Sequence, residues 1–232
     1  MEFSEFGFDE RLMDGISAMN YKTATPIQEQ VIPIIREGGD LIASAQTGTG
    51  KTLAYLLPCL RQWTFSKEKA PQILILVPTR ELVVQVAEVL ENLTEEMNVR
   101  VLGVYGGVNI NTQKANIYEG LDIVVGTPGR VMDLALDNVL RFDTVQKLVI
   151  DEFDEILNLG FRVQLTSILS MMKTKRQNIL FSATMTEEVD EILDEYFEFP
   201  EEVSLAPSGT PLEKIEQRVY HVPNFLTKIN LL

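Results

Sequence analysis

One cysteine, one histidine and one tryptophan occur in 232 residues. A lone cysteine excludes a disulfide framework, and Cys59 lies in an apolar helical run, where it reads as a small core residue in a reducing compartment. With His221 as the only histidine, no zinc site can be assembled, and Cys59 has no nearby histidine to make it a catalytic thiol. No apolar run approaches the length of a membrane span. Acids stand at positions 2, 5, 9 and 10, where a secretory leader would carry positive charge, so the cytoplasm is the expected location. Basic residues are scarce too: 20 Lys and Arg against 34 Asp and Glu give a net charge of −14. That balance argues against casual binding of a polyanion. Nine of the acids, however, fall between Glu187 and Glu202 with no Lys or Arg among them, the usual look of a solvated helix face. The rest of the chain is only mildly acidic, so the objection is weakened.

What is present is an alternation. Apolar, β-rich runs at 40–44, 72–77, 99–104, 121–125, 147–151 and 177–182 are separated by helix-like stretches at 51–63, 79–93, 109–119, 128–136, 161–173 and 186–196. Near-continuous apolar strands suit burial on both faces, and strands alternating with helices imply a mostly parallel central sheet flanked by helices. Two further helices are expected ahead of the first strand, at 9–19 and 26–36, the second opened by Thr25 and Pro26. From Ala206 onward Pro, Ser and Gly precede a short β-like run at 215–222, which reads as a linker or the start of another domain.

Residues 45–52 read Ala-Gln-Thr-Gly-Thr-Gly-Lys-Thr between the first strand and a helix start. Gly48 and Gly50 let the backbone curl so that successive N–H groups point inward, and the following helix adds its positive end. In such a loop Lys51 reaches the β and γ phosphates and Thr52 holds Mg²⁺, although Ala45 stands where the strict pattern has glycine. The loop therefore predicts a nucleoside triphosphate ligand. At the end of the 147–150 run come Asp151, Glu152, Phe153 and Asp154. In an open parallel sheet these meet the phosphate loop at the carboxyl edge, where Asp151 can bind Mg²⁺ through water and Glu152 can accept a proton from, or orient, an attacking water. Ser182-Ala183-Thr184 follows the next run, placing two hydroxyls beside the acids while also suiting a helix cap. Pro78-Thr79-Arg80-Glu81-Leu82, Gly106-Gly107 and Thr127-Pro128-Gly129-Arg130 occupy other strand ends. Each is an ordinary turn alone; three along one edge imply an extended polyanion.

Taken in order, these motifs resemble those of the first RecA-like domain of a DEAD-box RNA helicase over essentially the whole chain. Asn20 to Gln28 resembles the family's Q motif, with Phe3 at the place of its upstream aromatic. The resemblance implies a RecA-like P-loop NTPase fold, with a Q-motif region at 1–36, the ATP-binding domain at 37–206 and a linker at 207–232. It implies ATP and Mg²⁺ as cofactors, held by Phe3, Tyr21, Gln28, Gln46, Thr47, Gly48, Thr49, Gly50, Lys51 and Thr52, with Tyr21 stacking on adenine and Gln28 bonding its edges. It implies catalytic roles for Lys51, Asp151, Glu152 and Asp154, and has Ser182 and Thr184 bonding Asp154 to link nucleotide state to RNA grip. Pro78, Thr79, Arg80, Gly107, Thr127 and Arg130 would line an RNA backbone path read without much sequence preference.

Three departures stand out. Phe153 replaces the family's alanine, and overpacking a tight site commonly costs about 1–3 kcal/mol, so local repacking with activity retained is the expectation. Asn20 and Ala24 replace a usual Gly and Pro. Nothing resembles the family's second RecA-like domain, whose arginines complete the ATP site; by analogy with GTPases such arginines contribute about three to five orders of magnitude. A chain that binds nucleotide but hydrolyses it slowly is expected. The alternative is a non-catalytic RNA-binding scaffold with a decayed site, motivated by Phe153 and the acidic surface.

Overall fold

The computed structural model describes residues 1–173, 175–205 and a few positions between 220 and 229. The linker from 207 and most of the β-like run at 215–222 lie outside the described residues.

Seven strands form one sheet: β1 (Leu41–Ser44), β2 (Ile73–Leu76), β3 (Val101–Val104), β4 (Ile123–Gly126), β5 (Lys147–Ile150), β6 (Gln177–Ser182) and β7 (Glu201–Ser204). They run in the order β3-β4-β2-β5-β6-β1-β7, and every pairing is parallel. Side chains alternate across a strand, so each apolar run feeds two cores. Leu41, Ala43, Ile73, Ile75, Ile123, Val125, Val149, Ile179 and Phe181 enter one. Their neighbours Ile42, Leu74, Leu76, Val124, Leu148, Ile150 and Leu180 enter the other.

Helices α1 (Glu10–Ala18), α2 (Pro26–Glu37), α3 (Lys51–Gln62) and α4 (Arg80–Leu93) cover the first face. On the second lie α5 (Ile110–Glu119), α6 (Pro128–Leu136), α7 (Phe153–Asn158), α8 (Arg162–Met171) and α9 (Glu187–Tyr196). Several helices begin one residue later than the sequence pattern predicts because the first residue is the cap: the side chains of Asp9, Thr79, Asn109 and Thr186 accept N–H bonds of their first turns.

One strand and one α-helix escape the sequence reading. Strand β7 carries a single buried residue, Val203, so it has no apolar run to betray it. Helix α7 is only six residues long, and it starts at the signature acids themselves. The acids of α9 are exposed as expected, though Glu188 and Glu191 pair across to Arg162 at 3.0 and 2.8 Å. No helix among the described residues is long and apolar enough to cross a membrane.

Candidate functional site

With all strands parallel, the loops after β1, β5 and β6 open at one sheet edge, and these three strands are neighbours there. A cavity of about 400 Å³ sits at that edge. Tyr21, Gln28, Thr47, Gly48, Gly50, Lys51, Thr52, Asp151 and Glu152 line it, joined by the apolar side chains of Met19, Leu53, Leu82, Val86 and Val89. A second cavity of about 430 Å³, lined by Asp40, Arg176, Asn178 and neighbours, opens away from this loop cluster.

The phosphate loop has the backbone its sequence demands. Gly48 and Gly50 adopt φ of 82° and 92°, the left-handed region that glycine enters without strain. The Thr49 hydroxyl donates to the carbonyl of Gln46 at 2.8 Å and so tightens the turn. Helix α3 then starts at Lys51. The Lys51 ammonium is 6% exposed and lacks any hydrogen-bond partner; its counter-charge is Asp151 Oδ1, 3.8 Å away. A buried ammonium left with three open donors beside a glycine loop is suited to an anion with several oxygens.

Gln28 is buried, and its amide is engaged at both ends: Oε1 accepts from Thr25 N at 2.9 Å, and Nε2 donates to the Gly50 carbonyl at 2.9 Å. One amide hydrogen and one lone pair remain for a ligand. Tyr21 is half-exposed at the cavity wall. Phe3 does not join it. Its ring is 1% exposed, packed near Phe6 in a single 3-10 turn, and belongs to the core, which corrects its grouping with the nucleotide contacts. Burial of the two aromatics in the first core outweighs what an exposed ring would gain.

Burial raises the pKa of Asp151, an effect that Lys51 opposes, and burial followed by the Asp151 charge raises that of Glu152. Glu152 sits at φ 51°, an unusual backbone for a residue with a side chain. Phe153 points away from the cavity: it is fully buried in the second core with Ile150, Ile156 and Leu180. Asp154 receives Thr184 Oγ1 at 2.8 Å, Thr184 N at 3.0 Å and Ala183 N at 3.4 Å. Ser182 is turned elsewhere. Its hydroxyl donates to the Thr184 carbonyl at 2.7 Å and makes no bond to Asp154, which corrects the expectation for that residue.

The remaining loops share the edge in part. Pro78 and Thr127 are buried, and Thr79 caps α4. Gly107 is exposed with φ 83°, and Arg80 reaches solvent with its guanidinium 5.0 Å from the Tyr105 ring centre. Arg130 is tied inward: it donates to Gln113 Oε1 at 2.8 Å and to the Val108 carbonyl at 3.2 Å, so it braces the Gly106-Gly107 loop against α6. Sequence reasoning missed Tyr105 and Gln113, whose partners lie 25 and 17 residues away in the chain. It also passed over Tyr55, one helical turn beyond Lys51, whose hydroxyl donates to Asp151 Oδ2 at 3.2 Å. Its spacing of four from Lys51 on one helix was the available signal.

A parallel sheet, a glycine loop leading into a helix, and acids at the end of a nearby strand together define a RecA-like P-loop NTPase domain. Within that class the chain belongs to the DEAD/DEAH box helicase family, which matches residues 25–192. It is 44% identical over 216 residues to the ATP-dependent RNA helicase CshA of Listeria monocytogenes, covering 93% of this chain and 41% of that protein. It is 38% identical over 230 residues to the RNA helicase CrhR of Synechocystis, covering 99% of this chain and 46% of that protein. The crystal structure of a DEAD box protein from the hyperthermophile Methanococcus jannaschii matches with a TM-score of 0.82 at 32% identity, over 88% of this chain and 56% of that one. The chain thus spans less than half the length of these two relatives.

Proposed function

We propose that this chain is the ATP- and RNA-binding first half of an ATP-dependent RNA helicase, and that joined to a second RecA-like domain it couples RNA-stimulated ATP hydrolysis to local unwinding or remodelling of RNA. The observation that carries this reading is the Lys51 ammonium: buried, without a hydrogen-bond partner, and facing Asp151 across a glycine loop.

Each residue's task follows from its place. Gly48 and Gly50, with Thr47 and the start of α3, cradle phosphates by backbone N–H groups. Gln46 and Thr49 shape that loop, Lys51 neutralises the terminal phosphates, and Tyr21 with the spare amide groups of Gln28 receives adenine. Thr52 and Asp151 would hold Mg²⁺, which when bound neutralises charge on the phosphates; the hydroxyl and carboxylate donors suit a hard cation. Glu152, its carboxyl made more basic by burial, takes up or orients a proton of the attacking water. The Asp154–Thr184 bonds tie the acid turn to the loop after β6, the element through which nucleotide state reaches the RNA edge.

Along that edge Arg80 meets RNA phosphates, while Pro78, Thr79, Gly107, Thr127 and the braced Arg130 shape the path and leave base identity unread. Transfer stays slow in the isolated chain because the arginines of a second domain complete the site. A cytoplasmic setting fits this work. Phe153, buried in the core, no longer argues for a decayed site.

The test is ATP turnover by the two-domain protein with and without single-stranded RNA, beside Lys51→Ala. Strong RNA stimulation that Lys51→Ala abolishes is expected. Turnover that RNA does not stimulate, or that Lys51→Ala leaves unchanged, would overturn the reading.

A further inference from the structure

The face of α3 turned toward the acids carries Lys51, Thr52 and, one turn on, Tyr55. Tyr55 has no exposed surface. Its ring packs at 5.6 Å from that of Phe181 on β6, tilted by 52°. A phenylalanine would fill that volume as well, and a buried hydroxyl is unfavourable unless it finds an acceptor. Here it finds Asp151 Oδ2 at 3.2 Å. The other oxygen of Asp151 accepts the backbone N–H of Glu152 at 2.9 Å. Each carboxylate oxygen is therefore held by one fixed donor, one from α3 and one from the acid turn itself. Each keeps a second acceptor position free. Without the hydroxyl, only the Glu152 N–H and the more distant Lys51 would resist rotation of the carboxylate.

We propose that Tyr55 is a positioning residue: its hydroxyl fixes the orientation of the Asp151 carboxylate and thereby sets how strongly nucleotide binding depends on the divalent cation. This rests on the nucleotide reading given above. Tyr55 touches neither phosphate nor water in this role; it acts chiefly through Asp151, and its hydroxyl also bonds that of Thr52, the other residue that would hold the cation. Partners that orient a metal-binding side chain commonly change metal affinity by about 10–100-fold when removed.

The experiment titrates the full chain, as wild type and as Tyr55→Phe, with a fluorescent ADP analogue, across a series of Mg²⁺ concentrations and in EDTA. In Mg²⁺ the variant should bind about tenfold more weakly, and the Mg²⁺ needed for half-maximal affinity should rise by a similar factor. In EDTA the two forms should agree within about twofold, since no cation then engages Asp151. Asp151→Asn supplies the second arm: adding Tyr55→Phe to it should have a much smaller effect than in wild type, because the hydroxyl acts chiefly through that carboxylate.

Three results would overturn the inference. They are an unchanged Mg²⁺ dependence in Tyr55→Phe, an equal loss with and without Mg²⁺, and an undiminished effect in the Asp151→Asn background. The first two outcomes leave the nucleotide reading standing. Wild type that binds no nucleotide in Mg²⁺ would instead remove that reading, and this inference with it.

Discussion

Replacing Gly50 by alanine probes whether the phosphate loop and the Q-motif helix are held together by Gln28. At Gly50, φ is +92°, and an added Cβ would stand 2.6 Å from Gln28 Nε2 and 3.1 Å from Thr25 Oγ1. The left-handed backbone costs a residue with a side chain about 1–2 kcal/mol. Pushing the amide aside also sacrifices its bond to the Gly50 carbonyl, a further loss of about 1 kcal/mol. The sum is about 2–3 kcal/mol, which for a chain of this size lowers Tm by roughly 4–12 °C. Gly48 is the matched control. Its φ is +82°, yet an added Cβ meets nothing within 4 Å, so Gly48→Ala carries the backbone cost alone. Thermal unfolding of both variants by circular dichroism gives the comparison. Gly50→Ala should be the less stable by about 1 kcal/mol, or roughly 2–4 °C. Equal losses, or a larger loss at Gly48, would refute the Gln28 contact as a structural tie.

The other predictions concern the acids, the core and the RNA edge. Phe153→Ala should not improve the protein by restoring the family's usual residue: it opens a cavity in a fully buried position and should cost about 3–5 kcal/mol in chemical unfolding. Burial raises Asp151 and Glu152, so both carboxyls take up protons above the ordinary carboxylate range as pH falls. A divalent cation must displace the proton of Asp151, so nucleotide affinity in Mg²⁺ should decline as pH falls toward the carboxylate range, and by more than affinity in EDTA, as titrations at several pH values would show. Arg80→Gln in the two-domain protein should weaken binding similarly for RNAs of different sequence. It should also reduce the slope of log affinity against log salt by about one, measured by fluorescence anisotropy.

Much of this protein is written locally. The phosphate loop is legible because positive φ, a helix start and a lysine are all specified within eight residues, and no distant partner is needed to form them. Six of the seven strands announce themselves as apolar runs because a sheet covered on both faces buries every side chain of its central strands. The signature acids are legible once the strand before them is placed, since a parallel sheet gathers strand ends at one edge. The weak cases fail for the same physical reason: β7 contributes one buried side chain, and α7 is too short to show a period.

Which partner each side chain takes depends on packing between segments far apart in the chain. Phe3 entered the core, because the apolar surface of that core is assembled from segments that no local pattern joins. Ser182 turned to its own loop while Thr184 took Asp154, a choice between two hydroxyls two residues apart that depends on where α7 ends up. Gln113 claimed Arg130, and Tyr55 claimed Asp151 across 96 residues of chain. Glycine turns, helix starts and apolar periods are properties of adjacent residues and survive in the bare sequence. Hydrogen-bond partners brought together by the packing of two helices on one sheet do not, because their distance is fixed by the sheet order and not by their separation along the chain.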